Sequence, residues 1–187
     1  MKIISGIRPD LSFYGVDIAE LEGCEILLAG FSRADLNRDR IGFEDGFFDA
    51  IRVCHLLEHL TGFSLLRQEI PRLLKTGGLA YVEAPNPNSV KVPSISIFRD
   101  QGGCFNFHDD SSHIRPLSTE ELENFLSSCG LEVVDSGVIR NPIKILLSPA
   151  IIAGGLVMRK RSWLTDVAWE LSGWCSFAIG RKTDEQA

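Results

Sequence analysis

The chain has 187 residues, enough for one domain with a proper core and too few for two comfortable ones. A net charge of −6 offers no basic face for neutralising phosphates, so no nucleic-acid partner is expected. Five scattered cysteines without a C-x-x-C pair point to reduced thiols in a cytoplasmic protein, against a disulfide framework or a zinc knuckle. The first residues, MKIISGIRPD, carry too short an apolar run for a signal peptide.

In chain order, LSFYGVDI (Leu11–Ile18) is a β-branched and aromatic run ending on an acid and reads as a strand. AELEGCEILLAG follows as a short helix or turn, and FSRADLN (Phe31–Asn37) as a weaker strand. Asp49 to Cys54 is the next strand. GFSLLRQEIPRLLKTGG then places Leu65, Leu66, Ile70, Leu73 and Leu74 at helical spacing, with Pro71 inside the pattern and the double glycine as its stop. Leu79 to Pro85 reads as a strand buried on both faces. Asn86 to Ser112 is a long polar segment, the kind of loop that is usually a functional lid or a linker. Ser118 and Glu121 form a capping box that opens a helix ending at Gly130. LEVVDSGVI and WCSFAIGRK supply two final strands.

Between those strands lies ILLSPAIIAGGLVM (Ile145–Met158), followed at once by Arg159-Lys160-Arg161. It is too short to span a bilayer, and Pro149 with Gly154-Gly155 speaks against one simple helix. A buried or half-buried connecting segment is the plainer expectation. The sharper one is an interfacial patch with a basic flank, giving peripheral membrane contact or contact with a lipid-linked substrate.

Strands alternating with helices predict a single α/β domain over 1–187, a three-layer Rossmann-like fold with a mostly parallel sheet and an antiparallel last strand. Ligands of such sheets bind at the carboxyl ends of the strands.

Two stretches invite a metal. His55-x-x-Glu58-His59 has the letters of an inverted zinc-protease motif, but zinc ligation there needs both histidines on one face of a continuous helix. The β-branched run ending at Val53 makes His55 a strand end instead, so no metal is assigned. FHDDSSH (Phe107–His113) is a second cluster of histidines and aspartates, read first as solvated loop. Where it acts, His108 or His113 orients an acceptor or takes its proton.

The order of elements and five loose motifs resemble the class I S-adenosylmethionine-dependent methyltransferases, in particular the type 11 branch. YGVDI is similar to the family's second strand, and the resemblance implies that Asp17, with Ile18 beside it, binds the ribose diol of S-adenosyl-L-methionine. ADLN resembles the end of the third strand, which implies that Asp35 and Leu36 hold the adenine. GFEDGFFDAIRVCHLLEHL looks like the fourth-strand stretch, with Cys54 and His55 facing the methionine part. LLRQEIPRLLKTGGLAYVEAPN resembles the fifth-strand element, with Thr76 in place of the usual proline, and HIRPLSTEELENFLSSCGLEVV the element leading into the sixth. The same resemblance implies catalytic roles for His55, His59 and His113 and substrate contacts at Asn86 and His108. It makes 86–112 the acceptor-side loop and 143–172 an insertion before the last strand.

One departure stands out. The family's first strand and glycine-rich turn, roughly G-x-G-x-G, are not found upstream of Asp17, where Gly6 stands alone. KIIS lies too close to the next strand for a parallel crossover, so Met1 to Arg8 is expected to be the tail of the following helix. The missing strand belongs mid-sheet, and its absence predicts unpaired backbone edges. On this reading the chain is a fragment, a naturally truncated relative, or a subunit completed by a partner or a second copy. The resulting expectation is methyl transfer to a small molecule, with a sugar or lipid-linked envelope precursor favoured by the apolar–basic segment. The alternative is a non-catalytic, methyltransferase-like binding or regulatory subunit.

Overall fold

The computed structural model describes residues 8, 10–20, 28–94 and 104–184. The expected helix tail at Met1–Arg8, but for its last residue Arg8, and most of the expected helix or turn at 19–30 lie outside the described residues.

Strand β1 (Tyr14–Asp17) pairs in parallel with β2 (Gly30–Arg33), and these two form a sheet of their own. A second sheet runs in the order β3 (Phe48–Cys54), β4 (Leu74–Pro85), β6 (Cys175–Arg181), β5 (Glu132–Val138). Strand β3 is parallel to β4, while β6 runs antiparallel between β4 and β5, so the last strand is the reversed one, as expected. Among the described residues β1 and β3 each keep one unpaired edge, and rings rather than ladder bonds join the sheets. Tyr14 lies edge-on to Phe43, Phe47 and Phe48 at 5.6, 5.1 and 5.5 Å between centroids, the favoured aromatic geometry.

Helix α1 (Ser64–Leu73) and helix α2 (Thr119–Ser128) bury Leu66 and Ile70, and Leu122, Phe125 and Leu126, in one core with Val53, Ala80, Val82, Ala84 and Ala178 of the sheet. Helix α2 starts as its capping box requires: the Ser118 side chain accepts from the Glu121 N–H and the Glu121 carboxylate accepts from the Ser118 N–H. The opposite face of the sheet carries Leu79, Tyr81, Phe177 and Ile179, all at least partly exposed. The expectation that Leu79–Pro85 is buried on both faces is therefore corrected to an alternating strand, since among the described residues little covers that face.

Three further boundaries differ from the sequence reading. The double glycine does not stop α1. The helix ends at Leu73, β4 begins at Leu74, and Lys75–Gly78 bulge against Asp49, because Leu74 pairs with Phe48 and Leu79 with Ala50. Gly77 takes φ +77°, and a Cβ at Gly78 would stand 2.8 Å from the Lys75 carbonyl oxygen. Asp35 lies beyond β2, in the turn that follows it, since the strand stops at Arg33.

The segment at 143–172 is helical: the chain does break at Leu147, just before Pro149, but Gly154 and Gly155 lie within a helix, and the mostly exposed apolar stretch corrects the buried or half-buried reading. Helices α3 (Pro142–Leu146), α4 (Ser148–Val157) and α5 (Arg161–Ser172) follow one another. Pro149 sits in the first turn of α4, where its missing N–H costs nothing. Gly154 and Gly155 let α5 approach closely, with Trp163 atoms 3.1 and 3.3 Å from where their Cβ atoms would stand. Leu146, Leu156, Val157 and Met158 are 62–85% exposed, so the apolar surface faces outward. No helix among the described residues is long and apolar enough to cross a membrane.

Candidate functional site

The carboxyl ends of the parallel strands present Asp17 from β1, Cys54 and His55 from β3, and Pro85 and Asn86 from β4. Each sequence-predicted site residue can be placed against that edge. Asp17 is exposed, with Oδ1 accepting from the Ala19 N–H at 2.9 Å, and among the described residues Oδ2 has no partner. That free oxygen on a strand end suits a ribose hydroxyl. Ile18 beside it is 60% exposed. Asp35 is more occupied: Oδ1 accepts from the Asn37 N–H and side-chain amide, and Oδ2 lies 3.2 Å from Arg38. The Asn37 bonds, ahead of Arg38, hold its carboxyl below the usual range. Leu36 packs against the main core.

His55 ends β3 in the left-handed region, with φ +50°, a conformation that side chains other than glycine adopt rarely. That backbone turns the imidazole between two carboxylates: Nδ1 is 3.3 Å from Glu58 and Nε2 is 3.2 Å from Glu83. The Cys175 sulfur first, then Glu58 and Glu83, push its pKa up to about 12, and the ring is a cation at neutral pH. The same contact leads in holding Glu83 at about 2, against desolvation and with help from Tyr81, whose hydroxyl donates to Oε2 at 2.7 Å. Burial and the Glu83 charge push the Cys54 thiol up to about 11, so Cys54 stays a neutral, packing group beside this pair. Desolvation likewise raises Cys175, the third member of the His55–Glu83 group.

A shallow cleft adjoins this group. Glu83 and Cys175 form one wall, and Lys144, Asp166, Trp169 and Glu170 of the 143–172 segment form another. Trp169 stacks on buried Trp174 at 4.4 Å and 11°, and both rings lie about 6 Å from His55. The two indole N–H groups donate to the carbonyls of Cys104 and Phe105, which dock the end of the long loop beside the cleft. Phe105 and Phe107 are buried, so this part of the loop is built into the fold.

The remaining predicted residues lie as follows. Asn86 is buried, with its side-chain amide donating to the Gly173 carbonyl and its oxygen accepting from the Asn88 N–H. His108 is exposed on a single turn, Phe107–Asp109, capped by Asn106. His59 and His113 face each other at 4.8 Å between ring centroids, away from the His55 contacts. The motif His55-x-x-Glu58-His59 is thus divided between two clusters, with Glu58 belonging to both.

Sequence reasoning missed Glu83, Cys175, Trp169 and the burial of Glu58. The signal for Glu83 was a lone acid inside the apolar run LAYVEAP, and for Glu58 one inside LLEHL. Cys175 and the tryptophans gave no such signal, because only the antiparallel return of β6 brings them to the strand ends.

Comparison with known proteins bears on this geometry. Residues 6–82 match the family model described as a methyltransferase domain. A search of curated protein sequences finds no match. Among solved structures, the S-adenosylmethionine-dependent methyltransferase from Mesorhizobium loti superposes with a TM-score of 0.56 at 13% identity, over 91% of this chain and 81% of that one. A SAM-dependent methyltransferase from Archaeoglobus fulgidus gives 0.52 at 16% identity, over 97% and 94%. The cyclase SpnF gives 0.56 at 16% identity, over 95% and 70%, so the same fold also serves another reaction.

Proposed function

We propose that the chain, whose residues 6–82 match the methyltransferase-domain model and which carries the Rossmann-like fold of the methyltransferases it superposes on, binds S-adenosyl-L-methionine at the carboxyl ends of β1–β4 and serves methyl transfer to a small molecule. The observation that carries this reading is the placement of Asp17, with a free carboxylate oxygen, and of the His55–Glu83 pair on the same edge as the polar cleft. On this reading Asp17 and Ile18 take the ribose, Asp35 and Leu36 the adenine, and Cys54 and His55 the methionine portion. The bound cofactor supplies an electrophilic methyl group. The cleft beside Trp169 holds the acceptor, and the cationic His55, with both ring nitrogens facing carboxylates, holds Glu83 in place at the cleft wall. Asp35 would have to release Arg38 to reach an exocyclic amine. His59, His113, Asn86 and His108 belong to the acceptor side of the proposal.

The exposed apolar helices α3 and α4 with Arg159 and Lys160 beside them support a lipid-linked or membrane-surface acceptor, such as a sugar or lipid-linked envelope precursor. Cosedimentation with anionic phospholipid vesicles tests this, and unchanged binding in a Leu156→Ser/Val157→Ser variant would remove the support.

A second reading is favoured by one specific observation, the edges of β1 and β3 that are unpaired among the described residues. It takes the chain as a methyltransferase-like binding or regulatory subunit completed by a partner or a second copy. Calorimetric titration with S-adenosylhomocysteine separates the two. Binding that weakens at least tenfold in Asp17→Ala supports the enzyme reading, and a folded chain without measurable binding leaves the regulatory one.

A further inference from the structure

Three buried glutamates invite comparison. Glu69 meets Arg72 at 2.6 Å and accepts from the Ile41 N–H. Glu170 lies 3.1 Å from Lys144 and accepts from the Asn141 N–H. Among the described residues Glu58, with no exposed surface, has no hydrogen bond to either carboxylate oxygen, and its one cationic contact is His55 at 3.3 Å on Oε1. A carboxylate so buried is costly unless something else neutralises it.

Two histidines stand on its other side with their protons already assigned by their neighbours. His113 Nδ1 lies 2.6 Å from the Phe107 carbonyl, which can only accept, so Nδ1 carries the proton. His59 Nδ1 lies 3.0 Å from Ser112 Oγ, and that hydroxyl gives its own proton to Asp110. Ser112 therefore accepts from His59, and His59 too is protonated on Nδ1. Both rings are left with a lone pair on Nε2. One ligand atom from each of Glu58, His59 and His113 lies within 4.8 Å of the others. Two imidazoles, each with a lone pair to offer, thus share one cluster with a carboxylate that is unsatisfied among the described residues. Ring N–H groups tied to a carbonyl or a hydroxyl are the outer contacts that orient histidine ligands to metals.

We propose that Glu58, His59 and His113 form a binding site for a divalent first-row transition ion, represented by Zn²⁺, with Asp110 as the nearest further carboxylate at 3.9 Å from His113 Nε2. Two histidines and a carboxylate suit such an ion, and leave coordination positions open. Ligands about 2.1 Å from a tetrahedral ion are roughly 3.4 Å apart, so atoms within 4.8 Å of one another close by at most about 1.4 Å on binding. The half-exposed His59 has the freedom to supply that movement. The ion pins the turn Leu57–His59 to the loop that carries His113, beside the existing bond from the Ile114 N–H to the Glu58 carbonyl at 2.7 Å. The site does not depend on the cofactor reading, because none of its ligands is assigned to S-adenosylmethionine.

The test uses the full chain, stripped with chelator and dialysed against micromolar Zn²⁺. Elemental analysis is expected to give one zinc per chain, with a higher melting temperature in the loaded form. His59→Gln and His113→Ala should each weaken zinc at least tenfold in a chelator-competition titration, with circular dichroism confirming the fold. His59→Gln is the milder variant, since its side chain is half-exposed. Cys175→Ser and Glu83→Gln should leave the affinity unchanged. Absence of stoichiometric zinc, or an affinity unchanged from the parent chain in both histidine variants, overturns the proposal. Loss of zinc in Cys175→Ser with retention in His113→Ala also overturns it, by assigning the ion to the His55–Glu83–Cys175 group.

Discussion

Replacing His55 by alanine and by glycine separates what its ring does from what its backbone costs. Both variants remove the imidazole from between Glu58 and Glu83, 3.3 and 3.2 Å away. Removing the cation from a buried pair costs about 3–5 kcal/mol, but the His55 side chain is 37% exposed, so solvent screening brings the expectation to about 1–3 kcal/mol. The variants differ in the backbone. At φ +50° a Cβ costs about 1–2 kcal/mol, which alanine retains and glycine escapes. Glycine gives back about 0.5–1 kcal/mol through the greater freedom of its unfolded chain. His55→Gly should therefore be the more stable of the two by about 0.5–1 kcal/mol. That difference amounts to roughly 1–4 °C in melting temperature for a chain of this size. Urea unfolding at pH 7 with equal slopes measures it. An alanine variant as stable as the glycine variant, or more stable, would refute the left-handed strand end, and with it the aim of the ring at Glu83.

Because Glu83 is held at about 2, below the ordinary value near 4.3, its stabilising contribution is complete above about pH 4.3 and disappears as pH falls toward 2. Acid titration followed by tryptophan fluorescence should show a loss in that window that is flatter in Glu83→Gln. For His55, raised to about 12 from 6.5, the contribution is complete below about pH 6.5 and declines as pH rises toward the folded value, and His55→Gln should lose that alkaline slope. Ser118→Ala removes one arm of the capping box of α2 and should cost about 1 kcal/mol in chemical denaturation. Gly78→Ala places a Cβ 2.8 Å from one backbone carbonyl and 3.1 Å from another, and a loss of about 1–3 kcal/mol is expected. A neutral Gly78→Ala would mean that the Lys75–Gly78 bulge is not as tight as described.

Much of the fold was legible because local chemistry decides it. The capping box at Ser118, the apolar spacing of α1 and the β-branched run ending at Val53 each report on a few neighbouring residues. The misreadings arise where distant chain takes part. Lys75–Gly78 look like a helix stop until Gly77 and Gly78 bond Lys182, over a hundred residues later. Gly154 and Gly155 look like breakers until Trp163 packs on them. At the site, Asp17 and His55 were legible as strand ends. The cleft was not, because its walls come from β4, α3, α5 and β6. Nor does the order of letters in His55-x-x-Glu58-His59 tell that one turn points its two histidines at different partners.

The division into two sheets has a consequence for how the molecule opens. Between β3 and β4 a run of backbone hydrogen bonds must break together, whereas among the described residues β1–β2 is held to the larger sheet by ring contacts around Tyr14. Side-chain contacts carry less cooperativity than a shared ladder, so the β1–β2 unit should detach as a block at a free energy well below global unfolding. Its amide protons should then exchange as a group, earlier than those of β4 and β6. Asp17 lies on that block and His55 on the larger sheet. A ligand that touches both would act as a clasp, slowing exchange in β1 and β2 while leaving the rest of the pattern unaltered.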